Sequence, residues 1–99
     1  MSVTSMSRYK GGTYEQIAPF AKRTKAIHEK YGAEMVRLSR IYTGPNVGEW
    51  LYVVRLADWA AFGKWQEALA KDTEFQDNLA KGASVTHLTG RVIVVDADL

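Results

Sequence analysis

Ninety-nine residues suffice for one domain with a modest core. Thirteen basic against eleven acidic residues give a net charge of +2, too even a balance for a dedicated nucleic-acid binder. The chain has no cysteine, which excludes disulfides, thiolate metal sites and cysteine nucleophiles.

The opening MSVTSMSRYK lacks the apolar core of a secretory signal, and no apolar run is long enough to cross a bilayer. A cytoplasmic protein with no membrane partner is expected. Ser2–Lys10 reads as a first strand. Val3, Met6 and Tyr9 do not alternate cleanly, which implies a bulge or a late start. Gly11 and Gly12 end it.

Thr13–Tyr31 reads as a helix. Thr13 and Gln16 fit a capping box. Ile17, Phe20, Ala21, Thr24, Ile27, His28 and Tyr31 share one face, with Lys22, Arg23, Lys25, Glu29 and Lys30 mostly opposite. Pro19 kinks the helix if Thr13 is the cap. It costs little if the regular helix starts near Glu15. Gly32 is a left-handed stop.

Ala33–Tyr42 reads as a second strand, and the loop TGPNVG leads to a third at Glu49–Leu56. In the third strand Trp50, Tyr52, Val54 and Leu56 share one face, and Leu51 and Val53 the other. The expected hairpin register sets Tyr42 opposite Trp50 and Arg40 opposite Tyr52. A slip of one would give Ile41–Trp50 and Ser39–Tyr52 instead.

Asp58 is a good N-cap for a second helix that runs to about Lys71. Trp59, Phe62, Gln66 and Leu69 form its stripe, with Trp65 at the margin. Gly63 is expected to let this helix pack closely. Asp72 reads as a fresh cap, so a short third helix follows through Phe75 and Leu79 to Gly82. Ser84–Val95 reads as the last strand, with a bend or bulge at Gly90. Asp96–Leu99 is a tail.

The order β-α-β-β-α-β predicts an α+β chain, a single ferredoxin-like domain over residues 1–99. Its four-stranded antiparallel sheet carries helices on one face. The open face is expected to hold Trp50, Tyr52, Tyr42, Val36, Leu38, Val85 and Ile93, which is too much apolar surface for water. A homodimer packed sheet to sheet is the economical solution.

With these elements in place the chain resembles the dimeric α/β-barrel superfamily. That superfamily includes antibiotic-biosynthesis monooxygenase-like, haem-degrading, stress-responsive and NIPSNAP-like proteins. The resemblance rests on element order, on the ADWAAFGKW passage Ala57–Trp65, on the KDTEFQ break Lys71–Gln76, and on the closing strand Val85–Val95. It implies a barrel of two sheets with a small pocket between sheet and helices in each subunit. It transfers no catalytic residue. The first strand lacks the Asn of haem-degrading members, and the GKWQEAL stretch lacks the His common in monooxygenase-like ones. The branch stays open.

His28 and His87 are the two histidines. His87 is in phase with Val85, Thr89 and Arg91, and reads as a general base, a haem ligand, or a histidine at the sheet surface or dimer seam. His28, on the margin of a helical stripe, reads first as packing. Arg37, Arg40 and Arg55 fall on strands. Arg40 is a candidate for holding a substrate carboxylate or phenolate, and an inter-subunit pair with Glu34 or Glu49 is the alternative. Trp50, Tyr52, Trp59, Trp65 and Tyr42 are candidates to line a pocket for a flat apolar ligand, or to form core and interface. No His-rich or acidic spacing suits a metal.

The resemblance and these residues together imply a small-molecule binding protein. If catalytic, it is a monooxygenase-like one that needs no cofactor, although haem stays open. His87 would be its base and Tyr52 or Tyr9 its proton donors. A non-catalytic dimeric barrel is the alternative. An enclosed cavity holding polar groups favours the first reading, and a cavity filled by side chains the second.

Overall fold

The computed structural model describes residues 1–97 and 99, so the expected tail includes one residue, Asp98, outside the described set. The chain forms β1 (Val3–Lys10), α1 (Tyr14–Lys30), β2 (Met35–Arg40), β3 (Trp50–Leu56), α2 (Trp59–Lys71), α3 (Thr73–Gly82) and β4 (His87–Val95). The strands form one antiparallel sheet in the order β2-β3-β1-β4. This is the ferredoxin-like arrangement expected from the element order.

Helix ends follow local chemistry. Gln16 N–H donates to Thr13 Oγ1 (3.3 Å) and Thr13 N–H donates to Gln16 Oε1 (2.9 Å), so the capping box is closed. Pro19 is the sixth residue of α1, and the helix runs through it without the bond that a proline N–H cannot make. At the other end Gly32 N–H donates to the Glu29 carbonyl and Ala33 N–H to the His28 carbonyl, with Gly32 at φ +99. That is a Schellman stop. Asp58 accepts from Ala61 N–H (2.8 Å) and Asp72 from Phe75 N–H (2.7 Å), which starts α2 and α3. The second oxygen of Asp72 accepts from Tyr31 O–H, tying the α2–α3 corner to the end of α1.

The core lies between sheet and helices. Ile27 from α1, Val54 and Leu56 from β3, and Trp65 and Leu69 from α2 form one buried cluster. Val3 on β1 pairs with Leu56 and is also fully buried. The helix-facing side of the sheet therefore carries Val3, Ser5, Ser7 and Tyr9 from β1, each beside an even-numbered residue of β3.

Several expectations need correction. The β2–β3 register sets Arg40 opposite Trp50 and Leu38 opposite Tyr52, two residues from the one expected. The loop takes the difference: Ile41 N–H donates to the Glu49 carbonyl and Gly48 N–H to the Ile41 carbonyl (both 2.8 Å), so Tyr42 leaves the sheet and is 91% exposed. A slip of two preserves which face each side chain occupies. The apolar set assigned to the open face belongs elsewhere. Trp50, Tyr52, Val36, Leu38 and Ile93 share the helix-facing side with Val54, and Val85 precedes β4. The open face instead carries Met6, Leu51, Val53, Val92 and Val94 among Arg8, Arg37 and Arg55. Gly63 meets nothing within 4 Å of where a Cβ would stand, so it mediates no close approach. Strand β4 starts at His87 rather than Ser84.

The pairing of β1 with β4 contains a bulge. Arg8 pairs with Gly90 but Tyr9 with Leu88, so Thr89 is the extra residue. Gly90 lies beside this corner, where a Cβ would stand 2.3 Å from an Arg8 guanidinium nitrogen, the mobile end of that side chain.

Leu56 is fully buried at the centre of the cluster. Leu56→Ala is expected to lower stability by about 2–5 kcal/mol in urea denaturation. A loss well under about 1 kcal/mol would place Leu56 outside the core.

Candidate functional site

Between the sheet and the helices lies a cavity of about 510 Å³. Its sheet side is built from Ser5, Ser7 and Tyr9 of β1, Trp50, Tyr52 and Val54 of β3, and Leu88 and Arg91 of β4. Its helical side includes Phe20, Thr24 and His28 of α1, Trp65 and Leu69 of α2, and Phe75 and Asn78 of α3. The local cause of the space is β1. Its inward residues run Val3, Ser5, Ser7, Tyr9, so two small side chains sit where larger ones would fill the core.

His28 is one of the buried polar groups here, 4% exposed, with Ser5 and Asn78. Trp65 Nε1–H donates to its Nδ1 at 3.0 Å. Its ring packs against Tyr52, Trp65 and Phe75, with centroids 5.8, 5.4 and 5.5 Å away. Burial, and then the charge of Arg91, push its pKa down from 6.5 to about 4. The imidazole is therefore neutral at neutral pH. An indole N–H can only donate, so Nδ1 is the bare nitrogen and the hydrogen sits on Nε2.

Arg91 enters from β4. Its Nε donates to Ser5 Oγ at 3.0 Å. Among the described residues it forms no ion pair, and the cavity lining contains no carboxylate and no other cationic side chain. Burial raises the Tyr9 pKa against the opposing pull of Arg91. Burial pushes Tyr52 up to about 12, and its hydroxyl donates to the Ala21 carbonyl at 3.4 Å. Both phenols stay protonated at neutral pH. Among the described lining residues Arg91 is the one permanent charge, and it stands at the exposed β4 edge of the cavity.

The sequence-predicted residues divide evenly. Tyr52, Trp50 and Trp65 line the cavity. Trp50 is held by its indole N–H, which donates to the Gly12 carbonyl at 3.2 Å. Trp59 is 58% exposed, packs edge-on against Phe62, and is not part of the lining. Arg40 stands outside the lining too, its guanidinium carbon 4.8 Å from the centre of a Trp50 ring.

His87 also lies outside the cavity, exposed at the first position of β4 opposite Lys10. The bulge is the physical reason. Four residues apart in a regular strand, His87 and Arg91 would share a face. The extra residue at Thr89 reverses the parity, so Arg91 pairs with Ser7 on the helix-facing side and His87 with Lys10 on the open side. Sequence reasoning thus missed Arg91, and it also read past His28 and the serines of β1. The alternation Val3, Ser5, Ser7, Tyr9 was the available signal for the serines. Among the described residues no group of three His, Cys, Asp or Glu stands together as a metal site.

Fold and cavity define a class: a ferredoxin-like α+β chain with a ligand-sized space between sheet and helices. Solved structures supply the likeness. SnoaB, a cofactor-independent oxygenase from Streptomyces nogalater, superposes with a TM-score of 0.76 at 17% identity, over 99% of this chain and 95% of that one. A NIPSNAP family protein from Agrobacterium tumefaciens gives 0.70 at 13% identity, over 99% and 95%. A NIPSNAP domain protein from Burkholderia xenovorans gives 0.67 at 20% identity, over 96% and 94%. No protein-family model matches the sequence, and no curated protein matches it. At these identities the likeness is one of fold.

The depressed His28 pKa makes a stability prediction. Between about 4 and 6.5 the unfolded chain binds a proton that the folded chain refuses. The contribution is complete above pH 6.5, is lost as pH falls toward 4, and is flat below that. The change amounts to at most about 3 kcal/mol. Denaturant unfolding at a series of pH values, in the wild type and in His28→Gln, should show this slope in the first and a flatter one in the second. Equal slopes would contradict the assignment.

Proposed function

We propose that this chain is one half of a homodimeric barrel that binds a small, flat, apolar molecule in the sheet–helix cavity and oxygenates it without a cofactor. The observation that carries this reading is the cavity. A volume of about 510 Å³, walled by aromatics and holding a few polar groups, falls in the ordinary range for small-molecule sites. A barrel built only for assembly has no use for two serines in the middle of its core face. The fold likeness to a cofactor-independent oxygenase supports the choice of chemistry.

The reaction class is the conversion of an activated ring CH₂ beside a carbonyl. Loss of a proton to water gives an electron-rich enolate, which passes one electron to O₂. The two radicals join as a carbon-bound peroxide anion, which takes a proton back from water, and loss of water leaves a new carbonyl. One CH₂ and one O₂ thus become one C=O and one H₂O. The cavity contributes a flat aromatic bed and donors for the oxyanion. Anthrone, a tricyclic ketone with such a CH₂, is a suitable probe. Oxygen uptake and quinone absorbance should rise above the protein-free rate and persist after metal chelation. Anthrone bound in the cavity with no acceleration would contradict the oxygenase reading.

The second copy would cover the sheet face that the helices leave open. Val92 is 56% exposed there, beside Val94, Met6 and Leu51. Arg55 on the same face buries its Nε with no hydrogen-bond partner among the described residues, a group that asks for an acceptor from outside the chain. Light scattering should give twice the chain mass for the wild type. Val92→Asp should shift the protein to monomer with its circular dichroism unchanged. A monomeric wild type would contradict the dimer.

A further inference from the structure

We propose that His28 Nε2–H and the Arg91 guanidinium form an oxyanion site that selects ligands carrying an enolate or phenolate oxygen, with Trp65 as the positioning residue that fixes the His28 tautomer. This rests on the cavity reading above and names the ligand chemistry of that site.

The argument starts at Trp65. Its Nε1–H has no acceptor capacity, so its 3.0 Å contact to His28 Nδ1 admits one neutral tautomer. The ring then offers Nε2–H to the cavity it lines. Among the described residues Nε2 has no hydrogen-bond acceptor, and it is not one of the fully buried atoms, so it stays open to the cavity. A ligand oxygen would meet this donor in place of solvent. In this tautomer His28 cannot accept a proton from a ligand through Nε2, because that nitrogen has no free lone pair. Turning the tautomer over would set an N–H against the indole N–H.

Arg91 adds the charge. Its Nε is engaged by Ser5 Oγ, which aims the group and leaves the terminal nitrogens available. The charged and titratable groups facing His28 across the cavity are Arg91 on β4, Tyr9 on β1 and Tyr52 on β3. The phenols are neutral donors, so nothing in the described lining neutralises Arg91. A flat apolar ligand matches the walls, and an anionic oxygen on it matches a lining whose donors include one cation. Holding the ligand as its anion is also what electron transfer to O₂ requires.

The test compares 4-nitro-1-naphthol, whose anion absorbs visibly, with its methyl ether, which has the same ring system and no ionisable oxygen. Affinities are measured by titration at a pH where the free naphthol is half ionised. The wild type is expected to bind the naphtholate about tenfold or more tighter than the ether, with the bound dye spectrum that of the anion. Arg91→Gln, on an exposed edge strand, should remove most of that preference, read as the naphtholate-to-ether affinity ratio within the variant. Trp65→Phe should reduce the preference in the same sense, because the tautomer is no longer fixed. Equal binding of anion and ether by the wild type, or an Arg91→Gln ratio equal to that of the wild type, would overturn the oxyanion site while leaving the cavity reading intact. Failure of both compounds to bind would overturn both.

Discussion

The hydrogen bond from Trp65 to His28 is the contact on which the interior of this molecule turns. It joins α1 to α2 beneath the sheet, between two residues 37 positions apart, and it is buried. It satisfies the one polar atom of a large indole that the core could not otherwise absorb. It also decides which nitrogen of His28 carries the hydrogen. The tautomer and the polarity of the cavity roof follow from this contact, and the refusal of a proton down to about pH 4 follows from burial and then from the charge of Arg91. Remove the indole N–H and the same ring could sit either way round.

The cavity is a matter of omission on one strand and of parity on another. Serines at positions 5 and 7 leave the volume open, and they do so where β1 lies between β3 and β4 at the middle of the sheet. The bulge at Thr89 then brings Arg91 to that volume rather than to the opposite face. Each feature alone would mean little. An open core without a charge is an ordinary apolar cavity, and an arginine on an edge strand is ordinary surface. Together they set one cation at the open edge of a cavity whose lining also holds a neutral imidazole donor. The open face of the sheet has a different character, with exposed valines among three arginines and an orphaned Arg55 Nε. One side of the sheet is thus arranged around a ligand-sized space, and the other presents an uncovered surface.

What could be read from the sequence was what local chemistry decides. The capping box at Thr13, the caps at Asp58 and Asp72, and the stop at Gly32 are contacts over three or four residues, and all stand where the residue types place them. Element order then carried the fold. The hairpin register was off by two because its loop is longer than the TGPNVG turn: Ile41 and Tyr42 belong to the connection, and alternation alone cannot see that. The faces of the sheet were confused for a related reason. Alternation says which residues travel together but not which set meets the helices. His87 and Arg91 exchanged roles through one extra residue in β4, although Gly90 had marked the place where the strand departs from regularity. His28 was passed over because its partner is distant in sequence, and a histidine on a helical stripe looks like any other half-polar packing residue.

The central claim is the state of His28, and nitrogen NMR of the imidazole reads it directly. In protein labelled at histidine nitrogen, long-range proton–nitrogen correlations should show a bare, pyridine-like Nδ1 and a protonated, pyrrole-like Nε2 for His28. That pattern should persist as the pH falls through the range where an ordinary histidine charges, about 6.5. A His28 that titrates near that value, or that carries its hydrogen on Nδ1, would contradict the account of the cavity.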